Sequence, residues 1–191
     1  PVLRQQVLFR IASLQMKLGA ADRAIAVWQE LAEAFPRGRF TDATAYGLVE
    51  ANLAKGSASD AGKAPDALAA DAKAADLGPR FDTTVSLAKA RLLEAQNNLG
   101  GAPAAYQAAE KAGNLAPDQA AMTSLGIARC LQQGGDIGNA ETRFRKLVNA
   151  VESPRAVKAG AWNGLGDLQL EQGRKKRDAD TLTLALYAYL R

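Results

Sequence analysis

The chain has no histidine and only one cysteine among its 191 residues. The lack of histidine excludes catalysis that needs an imidazole and zinc sites of the usual Cys/His type, and one cysteine cannot form an internal disulfide. Cys130 lies in a helical run with no histidine to activate it, so we expect a small buried core residue and not a reactive thiol. We predict a non-enzymatic protein with no metal and no cofactor.

Aromatic residues are also scarce, at 6% of the chain, and β-branched residues are few, whereas alanine is abundant. This composition favours closely packed helices over a sheet. No apolar run approaches the length of about 18 residues that a membrane span needs. Basic and acidic residues alternate along the chain, which argues against a nucleic-acid partner, and we interpret the basic run Arg174–Arg177 as a solvated loop.

A helical hairpin is the first organised feature of the sequence. Apolar residues recur at helical spacing from Leu8 to Leu18, stop at Gly19, restart at Ala24 and end at Pro36. Two amphipathic helices joined by so short a turn must pack antiparallel, and one such pair leaves an apolar face uncovered. The hairpin therefore requires stacked neighbours.

Prolines divide the rest of the chain at similar intervals. Pro36, Pro79, Pro117 and Pro154 follow one another at steps of 43, 38 and 37 residues. We predict about five hairpins in one solenoid over 1–191, with repeats near 1–36, 37–79, 80–117, 118–153 and 154–191. The second hairpin carries an inserted loop before its second helix, which is predicted at 65–76. Because the chain opens without methionine and stops inside an apolar helix, we expect it to be part of a longer protein.

The repeats resemble the tetratricopeptide family, whose pattern is W-x2-L-G-x2-Y, then A-x3-F, then P. Trp162-x2-Leu165-Gly166 matches the opening of the pattern, and Ala140-x3-Phe144 matches its second half. Ala24-x3-Trp28 with Pro36 matches the second half with Trp for Phe. The resemblance implies an all-α, right-handed α-α superhelix of helix-turn-helix hairpins. The second and third repeats depart from the pattern because Asp71 and Ala109 stand where the aromatic is expected, which predicts shallower packing there.

Ten side chains are predicted to form the core of this stack. They are the apolar residues at the helix crossings: Leu8, Ile11, Ala24, Trp28, Leu48, Leu92, Leu125, Phe144, Trp162 and Leu165.

The family's concave groove is the predicted binding surface. The Lys and Asn set with which some members grip a terminal carboxylate is missing from the matching positions. Acids recur there instead, at Glu50, Glu94 and Asp167, which favours a partner segment carrying Lys or Arg; alternatively they are ordinary solvated charges. The full set of predicted groove residues is Phe9, Ser13, Met16, Tyr46, Glu50, Glu94, Asn163 and Asp167.

Two functions remain open. One is a protein-interaction scaffold that holds a partner segment in the groove, because repeat hairpins create extended concave surfaces. The other is a structural or assembly arm of a larger protein, with no specific ligand. Glu33–Pro36 leading to Asp42–Ala43 is similar to members of bacterial cell-envelope complexes, which tilts the expected compartment towards the periplasm over the cytoplasm.

The C-terminal helix is apolar on more than one side. Leu182, Leu186, Tyr189 and Leu190 follow one face, and Leu184, Tyr187 and Ala188 follow a second. We expect the second face to contact a further repeat or another copy of the chain.

Overall fold

The computed structural model describes residues 2–64 and 78–191, and all regular structure in these ranges is helical. The predicted second helix of the second hairpin, at 65–76, lies outside the described residues. Residues 58–64, just before it, are helical. The other helices are α1 Val2–Lys17, α2 Ala21–Ala34, α3 Thr41–Ala54, α4 Pro79–Ala95, α5 Gly101–Ala112, α6 Pro117–Gln133, α7 Ile137–Asn149, α8 Arg155–Lys176 and α9 Ala179–Tyr189.

The chain separates into two compact units, unit 1 at Pro1–Asn114 and unit 2 at Leu115–Arg191. Unit 1 contains the hairpin α1/α2, the helix α3 and the hairpin α4/α5, whereas unit 2 contains the hairpins α6/α7 and α8/α9. The turn between α1 and α2 is made at Gly19, whose φ of +71° is a conformation that favours glycine.

The sequence pattern indicates Asp82 as the N-cap of α4 and Gln172–Gly173 as the end of α8. Both predicted helix ends are wrong. Helix α4 begins at Pro79, so Asp82 lies in its first turn and does not cap it. Helix α8 continues through Gly173 to Lys176, which makes the basic run Arg174–Arg177 part of the helix end and not of a loop. Gly173 serves packing and not chain reversal, because a Cβ on it would lie 2.8 Å from Cδ2 of Leu182 in the next helix.

An aromatic ring set on a glycine joins α2 to α3 in unit 1. Trp28 is buried, and a Cβ on Gly47 would lie 2.5 Å from its Cε2 atom. Phe9 packs edge-on to Trp28 at 5.6 Å between ring centroids and stacks on Phe40 at 4.6 Å. Around these rings the unit 1 core is completed by Leu8, Ala12, Ala24, Leu31, Ala45, Leu48, Ala51 and Phe81.

The third hairpin does not pack shallowly, contrary to the prediction from Ala109. Tyr106, one helical turn before Ala109 on α5, is fully buried, as is Ala109 itself. Because side chains three residues apart lie on the same helix face, the aromatic has been displaced by one turn and has not been lost.

Unit 2 repeats the ring-on-glycine contact between α7 and α8. Phe144 is fully buried, and a Cβ on Gly164 would lie 2.4 Å from its Cζ atom. The surrounding core is apolar and consists of Leu125, Ala128, Ala140, Leu147, Val157, Ala161, Leu165 and Leu168.

Most of the predicted core is confirmed. Ile11, however, is 39% exposed because it points away from the α1 face that carries Leu8 and Ala12. Leu92 and Trp162 are only half-buried. The Trp162 ring lies at the edge of unit 2, with the guanidinium carbon of Arg191 at 5.2 Å from its centroid. The buried members are Leu8, Ala24, Trp28, Leu48, Leu125, Phe144 and Leu165.

Helix α9 packs on α8 through two alanines, Ala185 and Ala188, one turn apart. Ala188 is therefore buried, and its predicted place on the uncovered face is wrong. Leu184 and Tyr187 are exposed, as predicted for that face. The small alanines allow α8 and α9 to approach closely, and Tyr189 then reaches Gly166 of α8, where a Cβ would lie 2.8 Å from the tyrosine ring.

Candidate functional site

A cleft in unit 1 brings together two of the residues predicted for the groove. Met16 and Glu50 line an open cavity of about 480 Å³ near the C-terminal ends of α1, α3 and α4. Apolar groups dominate the rest of its wall. The complete lining is Met16, Glu50, Leu53, Ala54, Gly56, Ala58, Arg91 and Ala95.

Arg91 lies between the two acids that recur in unit 1. Its Nε atom is 2.8 Å from Oε1 of Glu50, in an ion pair without hydrogen-bond alignment, and its Nη1 donates to Oε2 of Glu94 at 3.4 Å. The Arg91 and Glu50 side chains are partly exposed to the cleft at 26% and 29%, whereas Glu94 is 6% exposed. Glu94 therefore belongs to the wall behind the cleft and not to its surface.

Tyr106 completes this polar cluster from behind. Its Oη donates to Oε2 of Glu94 at 2.6 Å. Burial, followed by the charge and hydrogen bond of Glu94, raises the pKa of Tyr106, so the phenol stays protonated and remains a donor. Burial also opposes the charge on Arg91, but Glu50 and Glu94 together outweigh it and raise the pKa of the guanidinium.

The other predicted groove residues of unit 1 mainly support the fold. Phe9 packs on Trp28 and Phe40, and the Ser13 hydroxyl donates to the Phe9 carbonyl at 2.8 Å. Tyr46 is half-buried against the small cluster of Val49, Ala61 and Ala88.

Two further groove residues belong to unit 2 and lie on α8. Asn163 and Asp167 are both exposed. Tyr189 Oη donates to Oδ1 of Asp167 at 2.6 Å, so this acid already has a partner on α9. Desolvation and the bond to Asp167 raise the pKa of Tyr189 to about 12. In unit 2 the predicted acid thus ties two helices of the same hairpin together.

Sequence analysis missed Arg91 and Tyr106. A signal for Arg91 was available, because it stands three residues before Glu94 on one helix, a spacing at which opposite charges meet. Tyr106 could have been predicted as a buried residue, because it is the one aromatic residue of α5. The contact of Arg91 with Glu50, by contrast, joins α4 to α3 and could not be deduced from spacing along either helix.

No side-chain group in the described ranges has the composition of a metal site. Among the helices of residues 2–64 and 78–191, none has the length and hydropathy required to cross a lipid bilayer.

Residues 6–37 match the family model of the tetratricopeptide repeat. This stretch is the first hairpin, α1 and α2, with the turn at Gly19 and the chain up to Pro36. Tetratricopeptide repeats generally mediate protein–protein interactions and are typically non-enzymatic. None of the curated proteins is detectably similar to the chain in sequence.

Solved structures are similar to this chain beyond the first hairpin. Eleven of them match, among them the nearly identical TPR-like repeats of a kinesin light chain from Podospora anserina, with a TM-score of 0.59 and 15% sequence identity. That match covers 97% of this chain and 94% of the other. At this identity the likeness shows the fold alone. The family match supports the tetratricopeptide interpretation for residues 6–37, and the structural likeness confirms the predicted all-α class and repeat fold.

Proposed function

We propose that this chain of tetratricopeptide repeats is a non-enzymatic interaction scaffold that holds a segment of a partner protein in the cleft of unit 1. The observation that carries the proposal is the cleft itself. Met16, Leu53 and Ala95 give it an apolar wall, and Glu50 with Arg91 gives it an oriented polar edge. Apolar walls with a few placed polar groups are typical of sites that bind a side chain of a partner.

The charges around the cleft favour a basic group in the partner. Glu50 and Glu94 carry two negative charges against the one positive charge of Arg91, so the cluster retains a net negative charge. The C-terminal end of α4 lies beside the cleft with no basic residue in its last turn and Gln96 as its C-cap. Helix C-termini attract cations, and a Lys or Arg of the partner segment would supply the missing one.

Peptides selected from a random displayed library against the 191-residue chain test the scaffold proposal. Ala95→Arg places a long cation in the cleft, whereas Ala26→Arg adds the same side chain at an exposed helical position of α2 that does not line it. We expect Ala95→Arg to weaken the selected peptides at least about tenfold, a loss of 1.4 kcal/mol, and Ala26→Arg to leave them unchanged. Equal affinities for both variants would contradict the cleft assignment.

A second experiment tests whether the cleft prefers a basic partner segment. Glu50→Gln removes one carboxylate from the cleft edge, and we expect peptides rich in Lys or Arg to lose affinity and salt dependence together. If the selected peptides carry no excess of basic residues and Glu50→Gln changes neither quantity, the partner segment is not basic. The alternative function, an assembly arm without a groove ligand, predicts that no peptide distinguishes the Ala95→Arg chain from the parent.

A further inference from the structure

A second open cavity of unit 1 lies where the N-terminal half of α1 meets the chain that leads into α3. Its volume is about 200 Å³, and its lining consists of Gln6, Phe9, Arg10, Arg39 and Phe40. The Phe9 and Phe40 rings stack on each other and provide its apolar wall. We call this cavity the arginine pocket, because two of its five lining side chains are guanidinium groups.

The chain before α3 is fixed on α1, so the arginine pocket is already formed without a ligand. The backbone N–H of Arg39 donates to Oε1 of Gln5 at 3.0 Å, and a Cβ on Gly38 would lie 2.7 Å from the same oxygen. The guanidinium carbon of Arg39 lies 5.8 Å from the centroid of the Phe40 ring, within the range of a cation–π contact. A ligand therefore meets a restrained arginine, which lowers the entropic cost of binding.

The two arginines of the pocket have no acidic partner within residues 2–64 and 78–191. Arg10 and Arg39 are both exposed, and neither forms an ion pair in these ranges. Helix α1 contains no acidic residue, and neither does the stretch 35–40. Both sides of the pocket are therefore built from segments that carry only basic charges.

The carboxylates of the adjoining helices are engaged elsewhere. Glu30 on α2 pairs with Arg4 at 2.8 Å, and Asp42 at the start of α3 pairs with Arg80 at 2.9 Å. Glu33, near the end of α2, lines a separate cavity. The positive charge of the arginine pocket is thus left for a ligand to neutralise.

The arginine pocket and the cleft lie along the same face of α1. Phe9 lines the pocket and Met16 lines the cleft, and seven residues are close to two full helical turns. At 1.5 Å per residue the two positions are about 10 Å apart. Four residues in a polyproline II conformation span about 9 Å, so one short segment of a partner reaches both cavities.

We propose that the arginine pocket binds an acidic side chain, Asp or Glu, of the same partner segment that enters the cleft. This inference deepens the proposed function and rests on it. Guanidinium groups offer paired donors that match a carboxylate, and the rings of Phe9 and Phe40 shield one side of the contact from water. A segment with an acid at the pocket and a basic residue at the cleft binds in only one direction along α1.

Selected peptides from the displayed library are the probe for this pocket. Arg10→Gln with Arg39→Gln removes both of its charges. Arg23→Gln with Arg155→Gln is the matched control, because it removes two exposed arginines that line neither cavity. Circular dichroism and thermal unfolding matching the parent establish that both double variants are folded. We expect the pocket variant to bind the peptides about fivefold more weakly than the parent, as for two exposed ion pairs, and the control to bind them as the parent does.

A double-mutant cycle identifies the carboxylate that the pocket binds. Each Asp or Glu of a selected peptide is changed to its amide, and the affinity is measured for the parent and for the variant with Arg10→Gln and Arg39→Gln. We expect one amide change to weaken binding to the parent about fivefold and to have no effect on binding to the variant. Selected peptides without an acidic residue, or amide changes that cost the same affinity with both chains, overturn the proposal.

The pocket and the cleft fail separately in these measurements. If Ala95→Arg weakens the peptides and the pocket variant does not, the cleft holds the segment and the arginine pocket takes no part. If the pocket variant alone weakens them, the arginine pocket is a binding site and the cleft assignment is contradicted.

Discussion

Units 1 and 2 share one helix–helix contact, an aromatic ring packed on a glycine, but the rest of their cores differs in composition. Trp28 sits on Gly47 in unit 1, and Phe144 sits on Gly164 in unit 2, with hypothetical Cβ contacts of 2.5 and 2.4 Å. In both units the contact lies where one hairpin meets the next helix. The glycine backbone, having no side chain, lets the two helices approach closely, and the aromatic ring fills the space between them.

The difference lies in buried polar groups. Among the described residues, seven buried polar or charged side chains belong to unit 1 and one, Thr123, to unit 2. Four of the seven are threonines, but a buried threonine is common to both units, since Thr44, Thr83 and Thr123 all donate to the carbonyl four residues earlier. What is particular to unit 1 is buried charge, at Glu94 beside Arg91 and at Asp42 beside Arg80. This asymmetry is why we place the candidate site in unit 1.

Removing the ring of Trp28 or Phe144 is the strongest test of the ring-on-glycine contact. We expect Trp28→Ala and Phe144→Ala each to lower the free energy of unfolding by about 3 to 5 kcal/mol, because each leaves a cavity over a glycine. Trp162→Ala should cost less than either, since that ring is half-buried at the edge of unit 2. Denaturant titrations measure the free energy of unfolding of all three variants. If Trp28→Ala or Phe144→Ala lowered it by less than Trp162→Ala does, the common role of these two rings in packing on a glycine would be contradicted.

Arg91→Met tests the buried charge of unit 1. It leaves Glu50 and Glu94 close together without their cation, and we expect a loss of about 3 kcal/mol in stability. Arg145→Met in unit 2 is the matched control, because it breaks an exposed ion pair with Glu141 and should change stability by about 0.5 kcal/mol or less. Similar losses for the two arginines would show that the Arg91 cluster does not contribute as a buried charge.

Adding a methyl group beneath each ring tests the close approach itself. Gly47→Ala and Gly164→Ala should each destabilise the protein by about 1 to 2 kcal/mol, since overpacking outweighs the better helix propensity of alanine. The control is Gly138→Ala on α7, where no atom lies within 4 Å of the added Cβ. That change should stabilise by about 0.5 to 1 kcal/mol. If Gly164→Ala stabilised the protein, the Phe144 ring would not be in close contact with the backbone of Gly164.

Alkaline pH tests the buried phenol of Tyr106. Its pKa in the folded protein is raised by burial and by Glu94, so above pH about 10 the unfolded chain loses this proton first and becomes favoured. Stability contributed by Tyr106 is full below that pH and falls by about 1.4 kcal/mol per pH unit above it. Urea titrations from pH 9 to 11.5 should show a shallower decline in the free energy of unfolding for Tyr106→Phe than for the parent.

Much of the helix pattern followed from the sequence alone. The α6 helix at Pro117–Gln133, the turn at Gly19 and the α7 start at Ile137 were all predictable because apolar periodicity, proline and glycine act over a few residues. Ala24-x3-Trp28 and Ala140-x3-Phe144 marked the two buried joints for the same reason. The all-α class and the hairpin repeat are properties of such local patterns.

Tertiary packing decided which side chains are buried and which residues form the candidate site. It turned Ile11 outward and Ala188 inward, since both faces of these helices are apolar and only the neighbouring helix selects one. It made Gly173 a packing residue within α8 and not a turn. It also brought Arg91 on α4 against Glu50 on α3, 41 residues away in the chain. Such contacts depend on the depth and angle at which two helices cross, which the amphipathic pattern of either helix does not encode.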